Sequence, residues 1–279
     1  MKKVHWGTLV LGSALLAACG GGGGDAPAPT PTPTATPTPT PTPAPTPAPA
    51  PTPTPTPASS PAEGAYSGTT SNGQTVQILA LENGDMWTIY GVQIGAVFYT
   101  RGLIQGTVSA SGGSFSGSDL KDFGHNPADP TTTTGTYVAG ASLAGTLSFQ
   151  LQSATIAFSA TPASLMHYDY SAPASLSAIT GAWSLNGTDG GTYLISVQAD
   201  GAFSGTEAGC VFTGTFTPRS SGKNVFDMSI SFGAAPCVLA NQTSRGIAIS
   251  YPVSGTSQQL TVAGVDSARS WGLVAAGAR

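Results

Sequence analysis

The sequence predicts an all-β protein: a tandem repeat of two small antiparallel meander barrels or sandwiches behind a disordered Pro/Thr-rich linker. Three observations predict it. Most of the 23 prolines crowd between Pro27 and Pro61, which separates a linker from the rest. Residues 62–279 are rich in Gly, Ser and Thr, with Val, Ile, Phe and Tyr interspersed, and lack a long stretch of apolar residues at helical spacing. Within them, GAYSGTTSNGQTVQILALENGDM, starting at Gly64, aligns without gaps on GAWSLNGTDGGTYLISVQADGAF, starting at Gly181, a spacing of 117 residues.

At the start of the chain, Lys2 and Lys3 supply a positive region, residues 6–14 an apolar one, and Ala17 and Ala18 the small residues of a processing site. A membrane-spanning helix takes about 20 apolar residues, so this segment reads as a signal peptide. Leu16, Ala17, Ala18 and Cys19 resemble the lipobox of bacterial lipoproteins. The resemblance implies that residues 1–18 are removed and that Cys19 becomes the N-terminus, carrying a diacylglyceryl thioether and an N-acyl chain. Each buried CH₂ contributes about 0.8 kcal/mol, and one chain anchors only reversibly, so two or three chains make the attachment permanent. The other reading is an ordinary secretory signal with a stray cysteine. In lipoproteins of this class an Asp after the cysteine favours inner-membrane retention. Gly20 stands there, so the resemblance implies the outer membrane, facing the periplasm or the surface.

Residues 19–61 form the expected tether. The glycines at 20–24 act as a free joint, and the Pro-Thr and Pro-Ala alternation over 26–61 removes amide donors and fixes φ, favouring extended polyproline II. At ~3.1 Å per residue this spacer reaches on the order of 100 Å. Its threonines, with Ser59 and Ser60, are also candidate O-glycosylation acceptors.

The repeat then defines lobes at 62–161 and 181–279. It pairs Tyr66 with Trp183, Val76 with Tyr193, Ile78 with Ile195, and Met86 with Phe203. Asn83-Gly84 and Asp200-Gly201 both predict type I′ hairpin turns. Val76, Ile78 and Ala80 alternate at period two, as do Tyr193, Ile195 and Val197, and each set is expected to face inward. Short apolar alternations continue through both copies, giving about seven or eight strands in each. Closed barrels are preferred because a sparsely charged surface leaves open sheet edges prone to pairing. Both copies contributing to one continuous structure is the alternative. Two β lobes behind a lipid anchor are weakly similar to bilobed surface lipoproteins of the transferrin-binding-protein B type. Gly64, Tyr66 and Gly68 make a start similar to uncharacterised proteobacterial lipoproteins. Neither likeness implies any binding residue.

Between the lobes lies a connector, residues 162–180, with a short helix expected at 174–179. With Cys19 acylated, Cys210 and Cys237 remain as an even pair in an exported domain, which reads as a disulfide. Closing a loop of about 28 residues contributes roughly 3–4 kcal/mol in the chain-entropy picture. Residues 236–244, PCVLANQTS, interrupt the strand pattern and are expected to form a helical turn capping lobe 2.

Chemistry is sparse in this chain. Charged residues make up 8% of it, and Lys and Arg do not cluster, so no nucleic-acid partner is expected. Apart from His5 in the signal peptide, His125 and His167 are the histidines available as a neutral-pH base. His125 lies in SDLKDFGHNPADP near Asp119, Asp122 and Asp129, a grouping that matches no metal motif and reads first as a solvated loop. His167, Tyr168 and Tyr170 are possible ligand contacts in the connector, or simply packing. Trp87, Tyr90, Phe98 and Tyr99 are core residues or a cavity lining, while Arg101, Arg219, Arg245 and Arg269 read as isolated, solvated charges. No catalytic residue, metal or cofactor other than the lipid on Cys19 is implied. The sequence thus reads as a lipid-anchored, non-enzymatic envelope protein, presenting two β lobes to a protein, glycan or small-ligand partner. Alternatives are a structural spacer contacting peptidoglycan or other outer-membrane components and, further off, a periplasmic enzyme or inhibitor.

Overall fold

The structure, a computed structural model, describes residues 60–94, 97–163 and 168–279. Cys19, the tether up to residue 59 and His167 lie outside them. Nine strands come first: β1 (Gly64–Thr70), β2 (Thr75–Ala80), β3 (Asp85–Ile94), β4 (Val97–Thr107), β5 (Ser109–Ser111), β6 (Ser114–Asp122), β7 (Asp129–Val138), β8 (Ser142–Phe149) and β9 (Ala154–Pro162). All pair antiparallel in the order β4-β3-β2-β1-β9-β8-β7-β6-β5, and β4 also pairs with β6 through Ile104 and Asp122. That pairing closes lobe 1 into an eight-stranded barrel, with β5 a short appendix. After α1 (Leu176–Ile179) come β10 (Gly181–Gly187), β11 (Thr192–Val197), β12 (Ala202–Glu207), β13 (Cys210–Pro218), β14 (Phe226–Phe232), β15 (Thr243–Ser254), β16 (Ser257–Asp266) and β17 (Gly272–Ala278). These eight close in sequence order into the lobe 2 barrel. The protein is therefore all-β with two closed barrels, not one continuous structure.

The repeat extends from letters to hydrogen bonds. Tyr66 pairs with Ile78 across β1 and β2, and Trp183 pairs with Ile195 across β10 and β11. Tyr66 Oη donates to the Ala62 carbonyl at 3.2 Å, while Trp183 Nε1 donates to the Ile179 carbonyl at 2.6 Å. Each buried ring thus satisfies its polar tip four residues back. The β2–β3 and β11–β12 turns correct the type I′ expectation, because positive φ occurs at Gly84 (88°) and Gly201 (88°) but not at Asn83 or Asp200. Instead the Asn83 and Asp200 side chains accept the amides of Asp85 (3.1 Å) and Ala202 (3.0 Å). A three-residue loop ending in a left-handed glycine satisfies the same sequence, with the side chain closing a turn of its own.

Inside lobe 1, Tyr66, Val76, Ile78, Ala80, Phe115 and Phe158 share a core; inside lobe 2, Trp183, Ile195, Val197, Phe203, Phe216 and Phe226 do. The connector helix is a single turn over Leu176–Ile179, shorter than the expected 174–179, and it plugs lobe 2 with Ile179. Cys210 and Cys237 are disulfide-bonded. Around Cys237 the chain forms turns, not the helical turn expected over 236–244, because Cys237 and Leu239 must both reach the core while Val238 between them stays exposed.

A third core lies outside both barrels. Leu79, Leu81, Trp87, Ile89 and Leu103 on the outer face of lobe 1 bury against Ile247, Ala263, Val265 and Val274 of lobe 2, joined by Tyr170 and Val225. A fully buried Leu or Ile contributes about 1.5–3 kcal/mol, so this seam outweighs the ion pairs around it, at about 0–1 kcal/mol each. Those pairs nevertheless correct the reading of two arginines as solvated. Arg219 reaches from lobe 2 to Glu82 at 2.7 Å, and Arg269 to Asp119 at 3.2 Å. Arg101 and Arg245 are exposed.

Candidate functional site

The grouping around His125 does not converge. Asp119 pairs with Arg269 and accepts the Thr107 amide at 2.8 Å. Asp129, fully buried, accepts the amides of Leu151 and Gln152 at 2.8 and 3.2 Å and the Gln152 side-chain amide at 3.3 Å. Burial alone raises its pKa, but these bonds outweigh that and hold the carboxyl below its ordinary range. Asp122 accepts from Tyr90 Oη at 2.8 Å and the Gly124 amide at 2.9 Å, with His125 Nε2 at 3.7 Å. Here burial prevails over the hydrogen bonds and the carboxyl sits above its ordinary value. Three carboxylates thus have three separate tasks, and the described residues hold no metal-sized group of His, Cys, Asp and Glu.

Asp122, Tyr90 and His125 line a cavity of about 80 Å³ at one end of lobe 1, together with Thr70, Asn72, Gln74 and Gln152. Its floor is apolar, with Val76, Ile104 and Leu147. The same end of lobe 2 carries different chemistry. Tyr193, the repeat partner of Val76, joins Phe212, Phe232 and Trp271 around a cavity of about 40 Å³. Neighbouring rings meet at 6.1 Å (Tyr193–Phe212), 5.9 Å (Phe212–Phe232) and 6.3 Å (Phe232–Trp271). Gly205 and Gly214 make room for the aromatics, since a Cβ at either would lie 2.5 or 2.4 Å from the ring of Phe212 or Phe203.

The turn bearing Trp271 is held by Asp266, which is buried and accepts the amides of Ser270 and Trp271, each at 2.7 Å, and the Ser270 hydroxyl at 2.8 Å. Burial would raise this carboxyl, but the donors keep it below the ordinary range.

Beside the seam runs a polar cleft of about 650 Å³, lined among others by Trp87, Gln105, Thr217, Asp227, Arg245 and Arg269. Trp87 Nε1, Gln105 Oε1 and Arg269 Nε are buried without a hydrogen-bond partner, and Arg245 is exposed with no ion pair among the described residues. Orphaned buried donors and acceptors of this kind cost about 1–3 kcal/mol each.

The connector tyrosines are packed. Tyr168 donates to the Asn224 carbonyl at 2.6 Å and meets the Tyr251 ring at 6.0 Å, while Lys223 lies 5.3 Å over Tyr170. The four aromatics of β3 and β4 divide: Trp87 and Phe98 face the seam, Tyr90 the lobe 1 cavity, and Tyr99 is exposed. Of these lobe 2 aromatics the sequence reading places Tyr193 inward but does not reach Phe212, Phe232 or Trp271. Their signal was the excess of Phe and Tyr at inward positions of one copy over the other.

No protein-family model matches the sequence, and no curated protein matches it significantly. Solved structures are similar at low levels. One, from Nostoc punctiforme, is a protein of unknown function from the DUF3598 family, 11% identical, with a TM-score of 0.27 over 78% of this chain and 94% of that one. Another is isotype 1 transferrin binding protein B from Neisseria meningitidis, 12% identical, with a TM-score of 0.23 over 74% of this chain and 66% of that one. A variant of transferrin binding protein B from Haemophilus parasuis is 10% identical, with a TM-score of 0.25 over 74% and 65%. Among the described residues, no helix is long and apolar enough to cross a membrane.

Proposed function

We propose that this chain is a non-enzymatic binding protein of the bacterial cell envelope. Acyl chains on Cys19 hold it to the outer membrane, and the proline-rich tether presents the paired barrels to a protein, glycan or small-ligand partner. The observation that carries the binding role is the polar cleft beside the seam. Its volume of about 650 Å³ lies within the usual span for ligand pockets, roughly 300–1,000 Å³, and charged and hydroxyl side chains line it, among them Arg245, Asp227 and Thr217. A ligand bearing both hydroxyls and an anionic group matches Arg245, Asp227 and Thr217 on the open side. The location rests on the lipobox-like residues 16–19 and on the reach of the tether.

Two measurements test this. Cells grown with labelled palmitate should yield a labelled mature protein, and Cys19→Ala an unlabelled one; equal labelling overturns the anchor. Cross-linked partners recovered from intact envelopes should be lost with Thr217→Arg, which fills the cleft. Unchanged recovery overturns the cleft as the binding surface.

A further inference from the structure

From the aromatic end of the lobe 2 barrel we infer a second site, distinct from the cleft, that takes a single apolar ring of a small molecule. A closed barrel of eight strands has just enough interior for its side chains or one small ligand. The far end of lobe 2 is plugged by Ile179 and Leu176 of α1. At the near end Tyr193, Phe232, Trp271 and Leu273 are only half-buried, although all four line the cavity.

The walls choose the ligand. Ser244 Oγ is spent on the Val265 carbonyl at 2.8 Å, and Tyr193 Oη on Asp189 at 2.5 Å. Burial first, and then the Asp189 hydrogen bond, hold that phenol protonated far above its usual range, so it presents no charge to a ligand. What remains is mostly aliphatic side chains and ring edges and faces, with Phe232 and Trp271 perpendicular at 87°. Such a frame accepts another ring in edge-to-face or offset contact, and offers a ligand amide or hydroxyl few partners for the desolvation that entry costs it. The space of about 40 Å³ is below the ~150 Å³ that holds benzene in an apolar cavity, so the ring must displace a side chain. Trp271 and Phe232 stand at the half-exposed rim, where movement meets solvent instead of packed core. In lobe 1 the same end carries Asp122, Gln152 and His125, so one barrel alone has this property.

The test uses the full chain with Cys19→Ser, which keeps every described residue and removes any acyl chain that would compete. Toluene at millimolar concentration should show saturation transfer from the protein and change the tryptophan fluorescence. Leu273→Trp, which fills the rim, should weaken toluene binding at least tenfold. Trp271→Ala should abolish the fluorescence change, and it serves as the second variant should Leu273→Trp melt early. The inference is overturned by absent saturation transfer in the parent chain. It is equally overturned by unchanged toluene binding in Leu273→Trp together with an unchanged fluorescence response in Trp271→Ala, or by N-acetylphenylalaninamide binding more tightly than toluene. Palmitate labelling and partner capture are read from other residues, so their failure stays separate from this one.

Discussion

Lobe 1 and lobe 2 begin with hairpins of identical register, yet the outer faces of those hairpins have opposite fates. Leu79, Leu81, Trp87 and Ile89 of lobe 1 correspond, 117 residues on, to Ser196, Gln198, Ser204 and Thr206 of lobe 2. The first set is buried in the seam and the second is exposed. Inward positions of the repeat stayed apolar because each barrel needs its own core, whereas outward positions diverged because one face had to meet a neighbour. The duplicated element therefore builds the barrels, and its divergence builds the assembly.

The strongest way to break this comparison is to charge both faces. Ile247→Asp places a carboxylate in the seam without a partner and should cost about 4 kcal/mol or more, whereas Ser196→Asp, on the exposed face of lobe 2, should stay within about ±0.5 kcal/mol. Denaturant midpoints compare the two directly. Next in size is the disulfide, which has no counterpart in lobe 1. Cys210→Ser with Cys237→Ser should remove about 3 kcal/mol, and hydrogen exchange should show lobe 2 amides losing protection while lobe 1 amides keep theirs.

The two buried aspartates at the barrel ends sharpen the contrast further. Asp266→Asn weakens an acceptor of three donors and should cost about 1.5–3 kcal/mol at pH 7. Asp122→Asn should be neutral or stabilising there, because it removes a carboxylate whose ionised form is disfavoured by burial. Their pH dependence runs in opposite directions. The Asp266 carboxyl is depressed, so its contribution is present above an ordinary value of about 3.9 and is lost as pH falls below it. The Asp122 carboxyl is raised, so its penalty is absent in acid and grows as pH climbs past the same ordinary value. Stability measured from pH 3 to 7 should therefore converge on the parent at low pH for both variants and diverge from it with opposite sign as pH rises. Of the destabilising changes, the smallest is expected from Arg219→Met, about 1 kcal/mol, with a loss of salt sensitivity that distinguishes it from a packing defect.

Much of the barrel architecture was legible because it is local. Alternation at Val76, Ile78 and Ala80 and glycine-bearing turns specify hairpins from neighbouring residues alone. The turn type was misjudged because Asn83 and Asp200 act through their side chains, a choice that the dipeptide does not reveal. The seam had a trace in the sequence, the unbroken run Ile78 to Leu81 where its copy alternates, but the partners on β15 and β16 are far along the chain. Likewise, Arg219 and Arg269 find their acids 137 and 150 residues away, a separation at which neither spacing nor charge pattern carries information. The aromatic end of lobe 2 is assembled from four strands and one turn, so no single window contains it.

Asp266 fixes a turn with two arms. Arg269, on one side, grips the Gln105 and Asp119 carbonyls of lobe 1 at 2.7 and 2.6 Å, and Trp271, two residues later, stands over the mouth of lobe 2. A short, hydrogen-bonded turn of this kind joins the lobe 1 contact to the mouth of lobe 2 through a few residues of backbone. If a guest that displaces Trp271 also shifts Arg269, reciprocity of linked equilibria requires that a partner tightening the hold between the lobes alter the guest's affinity by the same factor. The barrels would thereby converse through six residues of backbone.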